Sequence, residues 1–519
     1  MSYLIGLDFG SESARGVLID AGTGAQAGYA VHPYAHGILT AALPDGTPLP
    51  PGFALQVATD YLAAAEDILG RLGRGREVAG IGVDFTASSP LPATADGTPL
   101  SALHPDRPHA YVKLWKHAAA QPDADAINAG GAPFLADVGG RLSAEWLLPK
   151  AAQLAREAPD LWAAADRFIE AGDWLVAQLA GREARSRDFA IFKAQYRDGA
   201  GYPAGVAPDL ERKLAEPLAP GTPAGELTDA WRRRTGIGGP ARVAVALIDS
   251  HVVLPAIGAT APGAFVGSLG TSAGFLFLAD APRPLPPGLE GAAFGATLPG
   301  VWCAEAGQAA FGDMLAWFVR SFPLSPDPGE NYTRHAAAAA AVRPGSGGLL
   351  ALDWFGGNRV PHGDAGLSGL LAGLTLAATP AAIYRALTES LACGTRAILD
   401  AGLAGGVAVD RVVLTSGLAN SNPFLVQVIA DVLDREVEVP AIANATCVGA
   451  AIHGAVAAGV VGDFAEGARR YGARETRTFR PGPAAAAYPA FYETYRRLAA
   501  DPELAQALRT LRRLGGQPA

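Results

Sequence analysis

"LIGLDFGSESARGVLID", from Leu4 to Asp20, sets an acid and two serines between two apolar runs. Leu4, Ile5 and Leu7 read as a buried strand, Gly10-Ser11-Glu12-Ser13 as a turn, and Val17-Leu18-Ile19 as the returning strand. Asp8 falls where the first strand ends. Turns are commonly polar, so a solvated hairpin is the plain reading of this stretch taken alone. The scheme returns half a chain later. At 264–278 the sequence runs "AFVGSLGTSAGFLFL": strand, glycine, small hydroxyl residues, strand. Two such hairpins predict a duplicated domain with both turns facing one cleft.

A Gly/Ser/Thr turn presents backbone N–H groups and hydroxyls as a concave array, which binds phosphate oxygens without net positive charge. A carboxylate beside such an array repels phosphate unless a divalent cation lies between them. Mg²⁺, which keeps several waters and takes one or two carboxylates plus phosphates, suits that place. Asp8 is therefore a candidate metal-holding residue. Neither GxxxxGK[ST] nor a GxGxxG after a strand competes with this reading. Gly270 to Gly274 spells GxSxG, the nucleophile elbow of serine hydrolases, but that elbow must lead into a helix. Here it leads into "FLFLAD", a strand, so the hydrolase reading fails on context.

The bulk composition narrows the classes. A chain of 519 residues is too long for one core, and 50% hydrophobic with 18% charged residues excludes a disordered protein. The net charge of −9 argues against nucleic-acid or anionic-membrane partners, because no basic excess exists to displace counterions. Three widely separated cysteines, Cys303, Cys393 and Cys447, form no disulfide framework or metal motif, and a reducing cytoplasm is the expected compartment. The opening "MSYLIGLDFG" lacks the features of a signal peptide. The apolar stretch "CVGAAIHGAVAAGVVG" is too short to span a bilayer and reads as a tightly packed helix.

Apolar runs ending in acids alternate with helical stretches, the pattern of α/β layers. "VAGIGVDFTAS" (78–88) is a strand ending in Asp84, and "ARVAVALIDSHVVLPA" a strand ending in Asp249, followed by a turn and a helix. "FALQVATDYLAAAEDILGRL", "AEWLLPKAAQLA" and "ADRFIEAGDWLVAQLAG" read as helices. Asp249 is the best candidate for a general base, although an N-cap for the following helix is the plainer reading of its spacing. His251 reads as a packed or surface histidine rather than a catalyst. The Pro/Gly cluster near 250–262 marks the boundary, giving domains over 1–258 and 259–485 with a helical tail over 486–519. The tail "YETYRRLAADPELAQALRTLRRL" is amphipathic, a packing element or a homodimer contact.

With these residues in hand, the sequence resembles the FGGY carbohydrate kinases, a branch of the actin/hexokinase-like ATPases. The family's first hairpin "DxGTxSxR" is matched by "DFGSESAR" (Asp8 to Arg15), with Ser11 in place of Thr, and its second phosphate hairpin by Gly270-Thr271-Ser272. Its two signature regions resemble "AYVKLWKHAAA" (110–120) and "GLLAGLTLAATPAAIYRALTE" (369–389), where Ala382 occupies a usually polar position. Its adenosine motif resembles "SGLANSNPFLVQVIAD" (416–431), with Ser416 in place of the first glycine. Within the family, "GVDFTASSPLP", "LSAEWLLPK", "FKAQY", "EAGQAAFGDMLAWFV" and "LDWFGGNRVPH" resemble the branch that phosphorylates 2-ketopentoses.

The resemblance implies two duplicated actin/hexokinase-like (ribonuclease H-like) α/β domains around a central cleft, closing on a hinge. It implies transfer of the γ-phosphoryl of ATP, with Mg²⁺, to the terminal hydroxyl of L-ribulose or a related 2-ketopentose in pentose catabolism. By motif, Asp249 takes the proton of the 5-hydroxyl, while Ala87, Lys193 and Glu305 join it in binding sugar. Asp8 holds the metal, Gly10, Ser11, Ser13, Arg15, Gly270 and Thr271 serve the phosphates, and Gly312, Gly417, Asn422 and Gln427 line the adenosine site. The alternatives are a neighbouring kinase of the family acting on another pentulose, and an ATPase of the same superfold that hydrolyses ATP without transfer.

Overall fold

In the computed structural model, which describes residues 1–515, the opening stretch is the hairpin the sequence predicts. Ser2–Phe9 and Ser13–Asp20 pair antiparallel with Asp8 opposite Arg15. Gly10 N–H donates to Ser13 O at 3.1 Å and closes the turn. Ser2–Phe9 also pairs in parallel with Glu77–Phe85, which sets Asp8 beside Asp84. Gln26–Pro33 extends the sheet beyond the hairpin, while Arg242–Ala244 and Pro223–Glu226 extend it on the far side of Glu77–Phe85. The inner strands are buried on both faces, as parallel sheets covered by helices are.

The chain divides into two compact units. The first comprises Met1–Thr260, Ala293–Trp302 and Ile442–Ala473, and the second Ala261–Ala292, Cys303–Ala441 and the residues from Arg474 onward. The segment 442–473 thus returns to the first unit, and the close-packed helix read from its small residues is the reason. Ala445–Ala457 lies directly on the central strands. A Cβ on Gly6 would stand 1.8 Å from Cys447 O, one on Gly82 1.8 Å from Ala450 O, and one on Gly80 2.2 Å from Gly454 O. Only backbone without side chains permits that approach.

The second unit repeats the scheme. Ala264–Leu269 pairs antiparallel with Ala273–Ala279 and in parallel with Arg411–Thr415, as the first hairpin does with Glu77–Phe85. Val437–Ala441 and Glu475–Phe479 continue the sheet outward. The tail packs on this unit through the helices Tyr488–Ala499 and Pro502–Leu514. Tyr495 OH donates to buried Asp353 at 2.6 Å, and Tyr488 OH donates to Glu389 at 2.9 Å.

Two local expectations are corrected. "ADRFIEAGDWLVAQLAG" is not wholly helical: Arg167–Glu170 is a strand and the helix starts at Ala171. Its β-strand part pairs with Pro90–Ala93, a tertiary contact that periodicity does not reveal. The run before Asp249 is broken into Arg242–Ala244 and Leu247–Ile248, and Asp249 opens the helix Asp249–Ala256 with no turn between.

Candidate active site

Three acids at strand ends converge in the first unit. Asp8 and Asp84 are buried and Asp249 is half-buried, and the charge of Asp8 acts on both others. Asp8 is the one with partners of both kinds. Thr446, at the start of the helix Ala445–Ala457, donates its hydroxyl to Asp8 Oδ2 at 2.6 Å, and Arg15 Nη1 reaches the same oxygen at 3.4 Å. Arg15 therefore sits against the metal candidate and is itself half exposed.

Asp84 is an acid that sequence reasoning left unassigned, although its place at a strand end was visible. It is fully buried, and neither carboxyl oxygen has a hydrogen-bond partner among the described residues. Burial first, and the nearby Asp8 and Asp249 charges next, hold its proton well above the usual carboxylate range. Native proteins rarely leave such atoms unpaired without a ligand or a functional reason. Thr446 was missed altogether, because a threonine opening a Gly/Ala-rich helix carries no chemical signal of its own.

Asp249 does not cap its helix. The N-cap is Ile248, and the Asp249 carboxylate accepts from Ser250 N–H at 2.7 Å. Its pKa is raised to about 6, by burial foremost and then by the Asp8 charge, with Ser250, His251 and Lys193 pulling the other way. Lys193 lies in the last turn of the helix Arg187–Ala194 and is buried, its ammonium 5.7 Å from the Trp146 ring centre.

The loop carrying Ala87 is pinned from below. Glu170 accepts from the Ser88 hydroxyl and from Ser89 N–H (2.6 Å), while Thr86 and Ser89 hydroxyls meet at 3.0 Å. Lys150 donates to Ser88 O at 2.7 Å and to Leu114 O at 2.9 Å. Burial pushes the Lys150 ammonium down to about 7 and raises the Glu170 carboxyl. The Ser11 hydroxyl in the first turn accepts from Trp115 at 3.0 Å, which ties the phosphate-turn candidate to the 110–120 region. Ser13 is the first residue of the returning strand.

In the second unit the Gly270-Thr271 turn is braced by the helix Gly312–Ser321. Gly312 N–H donates to Gly270 O at 3.0 Å, and Phe311 and Asp313 N–H donate to Thr271 O at 3.0 and 3.1 Å. A Cβ on Gly312 would stand 2.5 Å from Gly270 O, so only glycine fits. Glu305 lies half-buried on the strand Trp302–Gln308. Gly417 has open space where a side chain would be. Asn422 is used as a helix cap, accepting from Leu425 N–H at 3.1 Å, and Gln427 donates to Asp431 and Arg480 O, both at 2.9 Å. Neighbouring Ser416 has φ 81°, a left-handed conformation that favours glycine, and its hydroxyl meets Ser268 Oγ at 2.6 Å.

Among the described residues no group of three or more His, Cys, Asp or Glu side chains is arranged to hold a metal ion. Two carboxylates, one of them wholly without donors, suit a cation that takes its remaining ligands from water and phosphate. Among the described residues no helix is long and apolar enough to cross a membrane.

Residues 265–458 match the FGGY family of carbohydrate kinases, C-terminal domain. A ribulokinase of Bacillus licheniformis is 37% identical over 525 residues, covering 94% of each chain. A ribulokinase of Halalkalibacterium halodurans is 39% identical, covering 95% of this chain and 93% of its own. The xylulose kinase of Rhodospirillum rubrum superposes with a TM-score of 0.83 at 22% identity, covering 96% of this chain and 98% of that one, and shares its two-domain actin/hexokinase-like fold. With near-complete coverage at such identity, the chain belongs to the FGGY family of carbohydrate kinases and is a sugar kinase.

Proposed function

We propose that this enzyme transfers the γ-phosphoryl of ATP to the terminal hydroxyl of L-ribulose or a closely related 2-ketopentose, in the cytoplasm. The observation that carries the reading is the half-buried Asp249, whose pKa desolvation and the Asp8 charge push up to about 6 against the pull of Lys193. A carboxylate so tuned is ionised at neutral pH yet basic enough to take a hydroxyl proton. The relatives named ribulokinase support the pentulose class.

In this reading Lys193, Glu305 and the backbone at Ala87 orient the sugar, and Asp249 takes the proton of the 5-hydroxyl as it attacks. Phosphoryl transfer asks the protein chiefly for alignment and charge neutralisation. Gly10, Ser11, Ser13 and Arg15 of the first turn, and Gly270 and Thr271 of the second, would cradle the phosphates. Gly312 and Gly417, with Asn422 and Gln427 setting the local backbone, would border the adenosine. Mg²⁺ when bound neutralises phosphate charge, and Asp8 would hold it with the unpartnered oxygens of Asp84 facing it. Release of ADP over the 2-ketopentoses, glycerol and aldohexoses tests the assignment. A 2-ketopentose should lead, and glycerol or a hexose clearly outpacing every ketopentose would overturn it.

A further inference from the structure

One buried carboxylate grips the chain on both sides of Asp249. Asp188 is the second residue of the helix Arg187–Ala194 and is 1% exposed. Its Oδ2 accepts from Ile248 N–H at 3.0 Å, one residue before Asp249, and its Oδ1 lies 2.8 Å from His251 Nδ1, two residues after. A carboxylate offers acceptors alone, so Nδ1 of His251 carries the hydrogen in this pair. Both side chains are fully buried, and the His251 ring stands edge-on to Phe192 with centres 4.8 Å apart.

The grip is itself anchored. Ser186 Oγ accepts from Asp188 N–H at 3.2 Å, and Ser186 N–H donates to buried Asp173 at 2.8 Å. Lys193 lies on the same helix as Asp188. Asp249, in contrast, has no cap beyond it, and its carboxylate accepts from its own neighbour Ser250, a contact that moves with it. The backbone on either side therefore sets where that carboxylate points.

We infer that Asp188 is a positioning residue for phosphoryl transfer: acting through Ile248 and His251, it fixes Asp249 relative to the helix that carries Lys193. The inference rests on the reading of Asp249 as the base. Misplacing a reacting group by about 1 Å can cost on the order of 10²-fold in rate. Asp188→Asn keeps the volume but cannot accept at both oxygens. It should lower turnover roughly 10- to 100-fold, with the pentulose KM changed less than about threefold.

A double-mutant cycle separates positioning from folding. In an Asp249→Asn background, Asp188→Asn should cost turnover no more than about twofold further, whereas its effect on Tm should be the same in both backgrounds. Turnover of Asp188→Asn within about threefold of the parent, or an equal loss in both backgrounds, would overturn the inference. If Asp188→Asn does not fold, the partner is varied instead. His251→Asn keeps a donor near the Nδ1 position and should retain at least about tenfold more turnover than His251→Leu; equal activities would overturn the inference. Failure of the base reading is seen separately, as parent-like turnover of Asp249→Asn alone.

Discussion

Asp84 stands directly beside Asp8 in the parallel pairing of Glu77–Phe85 with Ser2–Phe9, and among the described residues its carboxyl has no donor to stabilise a charge. A fold that keeps two carboxyls adjacent and leaves one unpaired carries a cost in the metal-free state. That cost rises with pH. The unfolded chain releases this proton near 3.8, while the folded chain keeps it well above. The stabilising proton uptake is thus complete below the unfolded value and is lost as pH rises.

Asp84→Asn should therefore stabilise the metal-free protein at pH 7–8, by roughly 1–3 °C in Tm. The same variant should weaken Mn²⁺ binding, read by electron paramagnetic resonance without nucleotide, by about tenfold or more. Unchanged Mn²⁺ binding would remove Asp84 from the metal's surroundings and leave Asp8 as the sole acidic contact proposed.

Asp249 must be ionised to accept a proton, so its raised pKa sets an acid limb. The rate constant kcat/KM should fall about tenfold per pH unit below the Asp249 pKa of about 6. Asp249→Asn should reduce turnover roughly 10²–10⁴-fold, toward the lower end because the hydroxyl proton leaves late in a loose transition state. It should also abolish that limb. Melting temperature and pentulose affinity should stay close to the parent's, which calorimetry and titration can measure on the same sample.

Gly82→Ala tests the packing that returns residues 442–473 to the first unit. The new methyl would meet Ala450 O at 1.8 Å, a backbone atom that cannot swing aside. A loss of more than about 4 kcal/mol, or failure to fold, is expected. A variant that unfolds within about 1 kcal/mol of the parent in urea would mean the helix Ala445–Ala457 sits elsewhere.

Ser416 holds a backbone conformation that costs a non-glycine residue on the order of 1 kcal/mol. Ser416→Gly relieves it but forfeits the Ser268 hydroxyl contact, so the net gain should be a few tenths of a kcal/mol up to about 1. With the side chain gone from beside Gly417, affinity for ATP should be unchanged or tighter. A Tm lower than the parent's would show that the Ser268 contact outweighs the strain.

Much of this enzyme is legible in its sequence because the decisive features are local. The turn residues after Asp8 and after Leu269 define both hairpins, and apolar runs ending in Asp8 and Asp84 mark two sheet strands whose register brings those acids together. Local chemistry also placed Gly270 and Thr271 in a turn. What sequence could not express depends on contacts between distant segments. Arg167–Glu170 carries helical periodicity but becomes a strand because Pro90–Ala93 pairs with it. The helix Ala445–Ala457 leaves its sequence neighbours because glycines on two strands let its backbone approach, bringing Thr446 to Asp8. Asp188 carries no signal of its own in the sequence and His251 reads as a packed or surface histidine, and only burial against each other, across 63 residues of chain, makes them a clamp. Burial likewise raises the pKa of Asp249, since the cost of charge depends on what three-dimensional packing removes from water.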